Sequence, residues 1–508
     1  MNKTNTIYQY IMRSWLLFFF SLSVLCAFPQ ERTFYKEPYR PQFHFTPAIH
    51  WMNDPNGLFY LDGEYHLFYQ YNPMGNRWGH MSWGHAVSKD LLHWQHLPLA
   101  IPELKDTMIF SGSCVVDYKN SSGFAKQAGQ VPVVAIYTGA YGKIQAQHIA
   151  YSLDAGRTWT KYDRNPVLDL NDSDFRDPNV FWYEPGKKWI MSAVLALQKK
   201  VQFYSSSNLK DWTLTGSFGP AGDTTGIWEC PSLFQVPVMG ESTNKKWVLM
   251  LSPAPYMQYF IGDFDGHNFS SANSTSKIYR PDYGPDYYAA IPFNNINLQS
   301  RRIPVIGWVN NWNYANDIPT TPWKSAASLP RYMFAQKTGD EWILIQRPVE
   351  QISKLHTVDR SWNNLAVKTS RELPVKSQTF QINLSFKPVT KSIAGIRLSK
   401  KGDHYFEIGY DASRMAIYID RSSAGDTSFN PQFGKLSRFE KTFDRPVEKV
   451  SLEIFFDKSI VEVFVNGGES VLTAQLFPAG MQNGIELFSN GQDVNFDRVQ
   501  FWEIKPAW

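Results

Sequence analysis

Three short strings each place one carboxylate among tryptophan, phenylalanine, asparagine or proline: WMNDPNG (Trp51–Gly57), FRDPN (Phe175–Asn179) and WECPS (Trp228–Ser232). Asp54 and Asp177 both head an Asp-Pro-Asn tripeptide, where proline removes a backbone donor and stiffens the position just after the acid. Acids held this way are positioned, not merely solvated. Two or three fixed carboxylates ringed by indoles and amides are the equipment of glycosidic-bond cleavage, in which one acid attacks or stabilises while another donates a proton.

Acids so far apart in sequence can act on one bond only if the fold gathers them. Asp54, Gly112 of an FSGS string, Asp177, Glu229 and Asp286 form a ladder with steps of 58, 65, 52 and 57 residues. A second ladder, a polar turn ending in an aromatic residue, falls at Trp94, Trp159, Trp212 and Phe269 with gaps of 65, 53 and 57. This period fits a four-stranded propeller blade with generous loops. Alternating runs such as HIAYS and VQFYS are the pattern of half-buried strands. Five rungs predict five blades, each rung occupying the same place in its blade, so that the rungs converge on one axis. Beyond residue 350 the texture changes to alternating strands such as FQINLSF, YFEIGYD, VSLEIFF and SIVEVFV separated by turn residues, which reads as a β-sandwich. No acid-aromatic cluster occurs there, and a structural or accessory module is expected. The predicted fold is therefore all-β: a five-bladed β-propeller over residues 28–350 followed by a C-terminal β-sandwich over 351–508.

Composition narrows the function classes. With a net charge of +4 and 19% charged residues there is no basic stripe, so nucleic acid is not an expected partner. Aromatics at 16%, with 18 Trp, suit both β-rich cores and sugar-ring stacking. Three cysteines and scattered histidines indicate neither a disulfide framework nor a zinc site, and no metal or cofactor is expected. Lys3 and Arg13 precede an apolar run from Trp15 to Ala27, too short to span a bilayer comfortably. It reads as a secretory signal peptide over residues 1–27, with lipidation of Cys26 as the alternative route to a membrane tether.

These strings, with QYNP at Gln70, WGHAVSKDLLHW at Trp83, YFIGDFDG, DYGPDYYA, GWVNNWNY at Gly307, DRSSAG at Asp420 and SIVEVFVNGGE at Ser459, resemble glycoside hydrolase family 32, the β-fructosidases that include invertases, exo-inulinases and levanases. The resemblance runs nearly end to end and implies a five-bladed propeller followed by a sandwich. It implies a retaining exo-β-fructosidase that removes terminal fructose from inulin, levan and sucrose through a covalent fructosyl-enzyme. In that scheme Asp54 is the nucleophile, Glu229 the general acid/base and Asp177 the transition-state stabiliser. Asn53, Gln70, Trp78, Phe110, Ser111, Arg176, Tyr288 and Trp308 would bind the substrate. An endo-acting levanase or inulinase, or a catalytically silent fructan-binding protein, is the alternative. Lys324 stands where many relatives carry Arg, and Tyr287 where Phe is frequent, which would add a hydroxyl near the rim.

Overall fold

Five strands, His50–Leu61, Met108–Val116, Phe175–Tyr183, Trp228–Pro237 and Tyr288–Pro292, each open a separate sheet of four or five strands in the computed structural model. The structure describes residues 34–241, 243–296 and 302–508; the expected signal peptide and Cys26 lie outside them. Within each sheet the chain steps outward mainly through antiparallel neighbours. The opening strands touch one another in cyclic order, the fifth returning to the first. A late segment, Trp323–Lys324, clasps the cycle by pairing parallel to His50 and Trp51.

Both sequence ladders have structural counterparts. Asp54, Gly112, Asp177 and Glu229 lie in the first four opening strands, and Asp286 lies two residues before the fifth. Trp94 and Phe269 begin the outermost strands of their sheets, and Trp159 and Trp212 directly precede theirs. The opening strands are buried along nearly their whole length.

At equivalent places all five opening strands carry one extra residue relative to their neighbour: at Asn53 and Asp54, Phe110 and Ser111, Asp177 and Pro178, Cys230 and Pro231, and Ala289 and Ala290. A bulge bends a strand and re-aims its side chains, and it leaves a residue outside the ladder, which is where proline is tolerated inside a sheet. This explains Pro178 and Pro231, while Pro55 directly follows the bulge of the first strand. Three of the bulges also turn the backbone left-handed, at Asp177 (φ 60°), Cys230 (φ 47°) and Ala289 (φ 50°).

The C-terminal part is two six-stranded sheets closed over a core that includes Phe380, Ile396, Phe406, Phe456 and Phe501. It packs on the first part through Phe455, Phe464 and Val471, which join one apolar cluster with Phe43, Phe45 and Leu329. Beside this cluster lies a buried ionic network. Arg331 donates to Glu462 (2.6 Å) and Asp282 (3.0 Å), while His44 bridges Asp457 (2.9 Å) and Glu462 (3.0 Å). Buried charges are tolerable only with partners on every side, and here each carboxylate has them.

Candidate active site

The bulges bring the three acids of the strings together, and short side-chain bonds lock the strands that carry them. Asn56 of the first strand accepts the Gly112 N–H of the second (3.0 Å). Ser113 of the second donates to the Pro178 carbonyl (3.0 Å) and accepts the Val180 N–H (2.9 Å) of the third. Asp177 of the third accepts the Cys230 N–H of the fourth (2.9 Å) through Oδ2. The fifth strand sends the Tyr288 hydroxyl to Glu229 Oε2 (2.6 Å) and to the Ser252 carbonyl (3.1 Å).

Asp54 is buried. Its Oδ2 accepts the Ser111 hydroxyl (2.8 Å) and lies 3.6 Å from the Cys230 sulfur, while Oδ1 meets no donor among the described residues. One oxygen is thus anchored and the other buried without a donor. Burial first, then the charge of Glu229, push its pKa up to about 6 against the Ser111, Asn53 and Cys230 groups. Asp177 is pushed up to about 7, chiefly by burial; Arg176 pulls it down while Glu229 pushes it up. Like charges in a dry site share protons in this way, and the titration belongs to the group.

Arg176 is buried to 8% exposure and is no surface ion pair. Its guanidinium bonds Glu229 Oε1 (3.1 Å) and Asp174 (3.0 Å) and reaches the Gln145 amide oxygen (3.3 Å), while Asp177 is 3.9 Å away. Burial alone would weaken its charge, but Glu229, Asp177 and Asp174 hold it protonated. Three carboxylates surround this one guanidinium, so the site carries surplus negative charge, the sign that stabilises a developing carbocation.

The other expected residues form two layers. Trp78 (42% exposed) and half-buried Phe110 stand at the surface with ring centroids 6.1 Å apart. Behind them, Asn53 accepts the Trp51 indole N–H (2.7 Å) and Gln70 donates to Asn56 (3.4 Å). Trp308 is fully buried among Trp312 (4.8 Å), Trp51 (6.1 Å) and Tyr288 (6.3 Å). Beside Phe110 and Gln145 a groove of about 490 Å³ opens, lined also by His80, Glu103, Lys105, Asp106, Lys143 and Ser173. Tyr287 does not reach the rim: it is buried under the Arg331 guanidinium, 4.1 Å from its ring. Lys324 caps the carbonyls of Asn316 and Ile318 (3.1 and 2.8 Å).

Sequence reasoning missed Asp174, Gln145, Thr138, which accepts the Asp177 N–H (2.9 Å), and the contact of Cys230 with Asp54. Asp174 had a readable signal, since it stands two residues before Arg176 and so on the same face of an extended chain. Gln145 and Thr138 had none.

Residues 44–348 match the N-terminal domain of glycosyl hydrolases family 32, and residues 349–503 match the family's C-terminal domain. The chain is 43% identical to a levanase of Bacillus subtilis over 97% of this chain and 75% of the relative. It is 39% identical to an extracellular exo-inulinase of Aspergillus awamori, over 93% of this chain and 96% of that one. The solved exo-inulinase of Aspergillus awamori superposes with a TM-score of 0.87 at 38% identity, covering 93% of this chain and 100% of the other. A β-fructofuranosidase of Schwanniomyces occidentalis complexed with fructosyl-erythritol gives a TM-score of 0.84 at 33% identity, covering 93% of this chain and 98% of the other. The chain belongs to glycoside hydrolase family 32. It is an enzyme of the glycosidase class.

Proposed function

We propose that this protein is a secreted, retaining exo-β-fructosidase that removes terminal fructose from fructans and sucrose, built on a propeller whose five blades are the five cyclic sheets. The observation that carries the reading is the contact of Asp54, Asp177 and Glu229 through Cys230 and Arg176. The relatives named levanase, exo-inulinase and invertase supply the substrate class.

In this reading Asp54 attacks the anomeric carbon through its undonated Oδ1 and becomes the fructosyl ester. Glu229 protonates the leaving oxygen and then deprotonates the incoming water. Asp177, held rigid by the Cys230 N–H, faces the flattened ring as positive charge develops and lowers the barrier without moving a proton. Trp78 and Phe110 offer apolar faces to sugar rings, and the groove beside Phe110 receives the chain beyond the scissile bond.

The deciding experiment follows products from inulin, levan and sucrose over time, beside Asp54→Ala. Fructose alone from the earliest time supports exo-cleavage, and early mixed oligosaccharides mean endo-cleavage. Product that persists undiminished in Asp54→Ala sinks the nucleophile assignment. NMR of the first-formed anomer reports retention or inversion. Glu229→Gln should lose most of its kcat/KM on sucrose but far less of its kcat/KM on fructosyl fluoride, whose leaving group needs no proton, while kcat on both stays low because the incoming water has lost its base. For the groove, Lys105→Ala and Lys143→Ala should raise KM for the polymer by roughly 3- to 10-fold, the worth of about one hydrogen bond, and leave KM for sucrose unchanged.

A further inference from the structure

The segment that delivers Tyr288 is held by the C-terminal sandwich as well as by its own sheet. From Asp282 to Asp286 it lies along the sandwich strand Ser470–Gln475. The Tyr283 N–H donates to the Val471 carbonyl (2.8 Å) and the Asp286 N–H to the Thr473 carbonyl (3.2 Å). In return, the Thr473 N–H donates to Asp282 (2.8 Å) and the Gln475 N–H to Asp286 (2.8 Å). Gly284 sits so close that a Cβ there would lie 2.1 Å from the Thr473 carbonyl oxygen.

Asp286 is wholly buried, and its second tie to the sandwich is charged. Arg421 donates to Asp286 Oδ2 (2.8 Å) and to the Tyr314 hydroxyl (3.0 Å), which itself donates to Asp286 Oδ1 (2.6 Å). The guanidinium is fixed in turn by the Leu436 carbonyl (2.7 Å) and by the Phe433 ring, 3.8 Å away. Two residues along the chain, the Tyr288 hydroxyl reaches Glu229 Oε2 at 2.6 Å. Backbone clamped on both strands of a seam does not drift, and a catalytic hydrogen bond two residues away inherits that rigidity.

We propose that the sandwich is a working part of the active site: Arg421, acting through Asp286, is a positioning residue that sets the Tyr288 hydroxyl on Glu229. The proposal rests on the reading of Glu229 as the acid/base. Charged and titratable groups that face Glu229 are Arg176 and Asp177 from the third opening strand, Asp54 from the first, Cys230 beside it in its own strand and Tyr288 from the fifth.

The test compares Arg421→Lys, Tyr314→Phe and Tyr288→Phe, singly and with each of the first two combined with the third, after thermal unfolding has established that each is folded. Tyr314→Phe removes a single oxygen and carries the test should Arg421→Lys not fold. On sucrose, each of the first two should lower kcat by about 10- to 100-fold, the cost of a small misplacement, with KM within about twofold of the parent. Their pH-rate profiles should shift in the same direction as that of Tyr288→Phe. Combining either with Tyr288→Phe should cost little more than Tyr288→Phe alone, because no hydroxyl is then left to misplace. Folded single variants with the parental kcat and pH profile, or losses that multiply in the double variants, overturn the proposal. Glu229→Gln, run in parallel, separates this failure from that of the acid/base reading, since full activity there would remove Glu229 from the chemistry whatever Arg421 does.

Discussion

As the proposed nucleophile, Asp54 would have to do two things that oppose each other: stay buried among carboxylates and be ionised when substrate arrives. Its pKa near 6, above the ordinary 3.8, shows the cost. A carboxylate whose folded pKa is raised adds stability only while protonated, so this contribution is full below about pH 4 and is lost as pH rises through 6. Asp54→Asn should therefore be inactive by a factor on the order of 10⁴ or more, yet more heat-stable than the parent at pH 7.5. The gain, on the order of 3 kcal/mol, should vanish near pH 3.5, and thermal melts at the two pH values check it. A variant less stable than the parent at pH 7.5 would show that the ionised carboxylate is not under strain.

At the level of strands, the shared bulge decides where the acids point, and glycine guards it on the second opening strand. A Cβ on Gly112 would lie 2.1 Å from the Ile136 carbonyl oxygen and 2.7 Å from Tyr137 Cα, both backbone atoms that cannot step aside. Gly112→Ala should destabilise by about 1–3 kcal/mol. It should also displace neighbouring Ser111 from Asp54, so that kcat falls by more than folding stability would explain; chemical denaturation beside kinetics measures both. The ladder itself was legible in sequence, because the first four sheets repeat turn, strand and aromatic at similar spacing. The bulges were not, since one extra residue leaves no mark in hydrophobic alternation; only the prolines at 55, 178 and 231 hinted at them. Asp54, Asp177 and Glu229 could be named because their strings are dense in rare residue types. Gln145 and Thr138, single polar residues on ordinary strands, could not, and the seam that binds Asp286 to Arg421 joins residues too distant for any local pattern to connect.

Over the whole molecule, the ionic network between the two parts contributes stability that alkaline pH removes. Burial alone would lower the His44 pKa, but hydrogen bonds to Asp457 and Glu462 raise it to about 9. The stabilisation is complete below 6.5 and is lost as pH rises through 9. Melting temperature should fall between pH 7 and pH 10 in the parent. His44→Ala should be destabilised by about 3–5 kcal/mol at pH 7 and lose much of that pH dependence. A parent curve that is flat over this range would contradict it. Truncation after Pro348 should abolish activity, since it uncovers the apolar cluster around Phe43 and Leu329 and releases Asp286. Assay and circular dichroism of that fragment read the two effects apart.

The clasp between Trp323–Lys324 and His50–Trp51 bears on when activity can arise during synthesis. Asp54 leaves the ribosome early, but the cycle of sheets cannot close until Lys324 has followed it. Domains form largely as units while a chain is being made, and here the unit that holds the three acids is finished late. A nascent polypeptide is therefore hydrolytically silent through more than half of its translation.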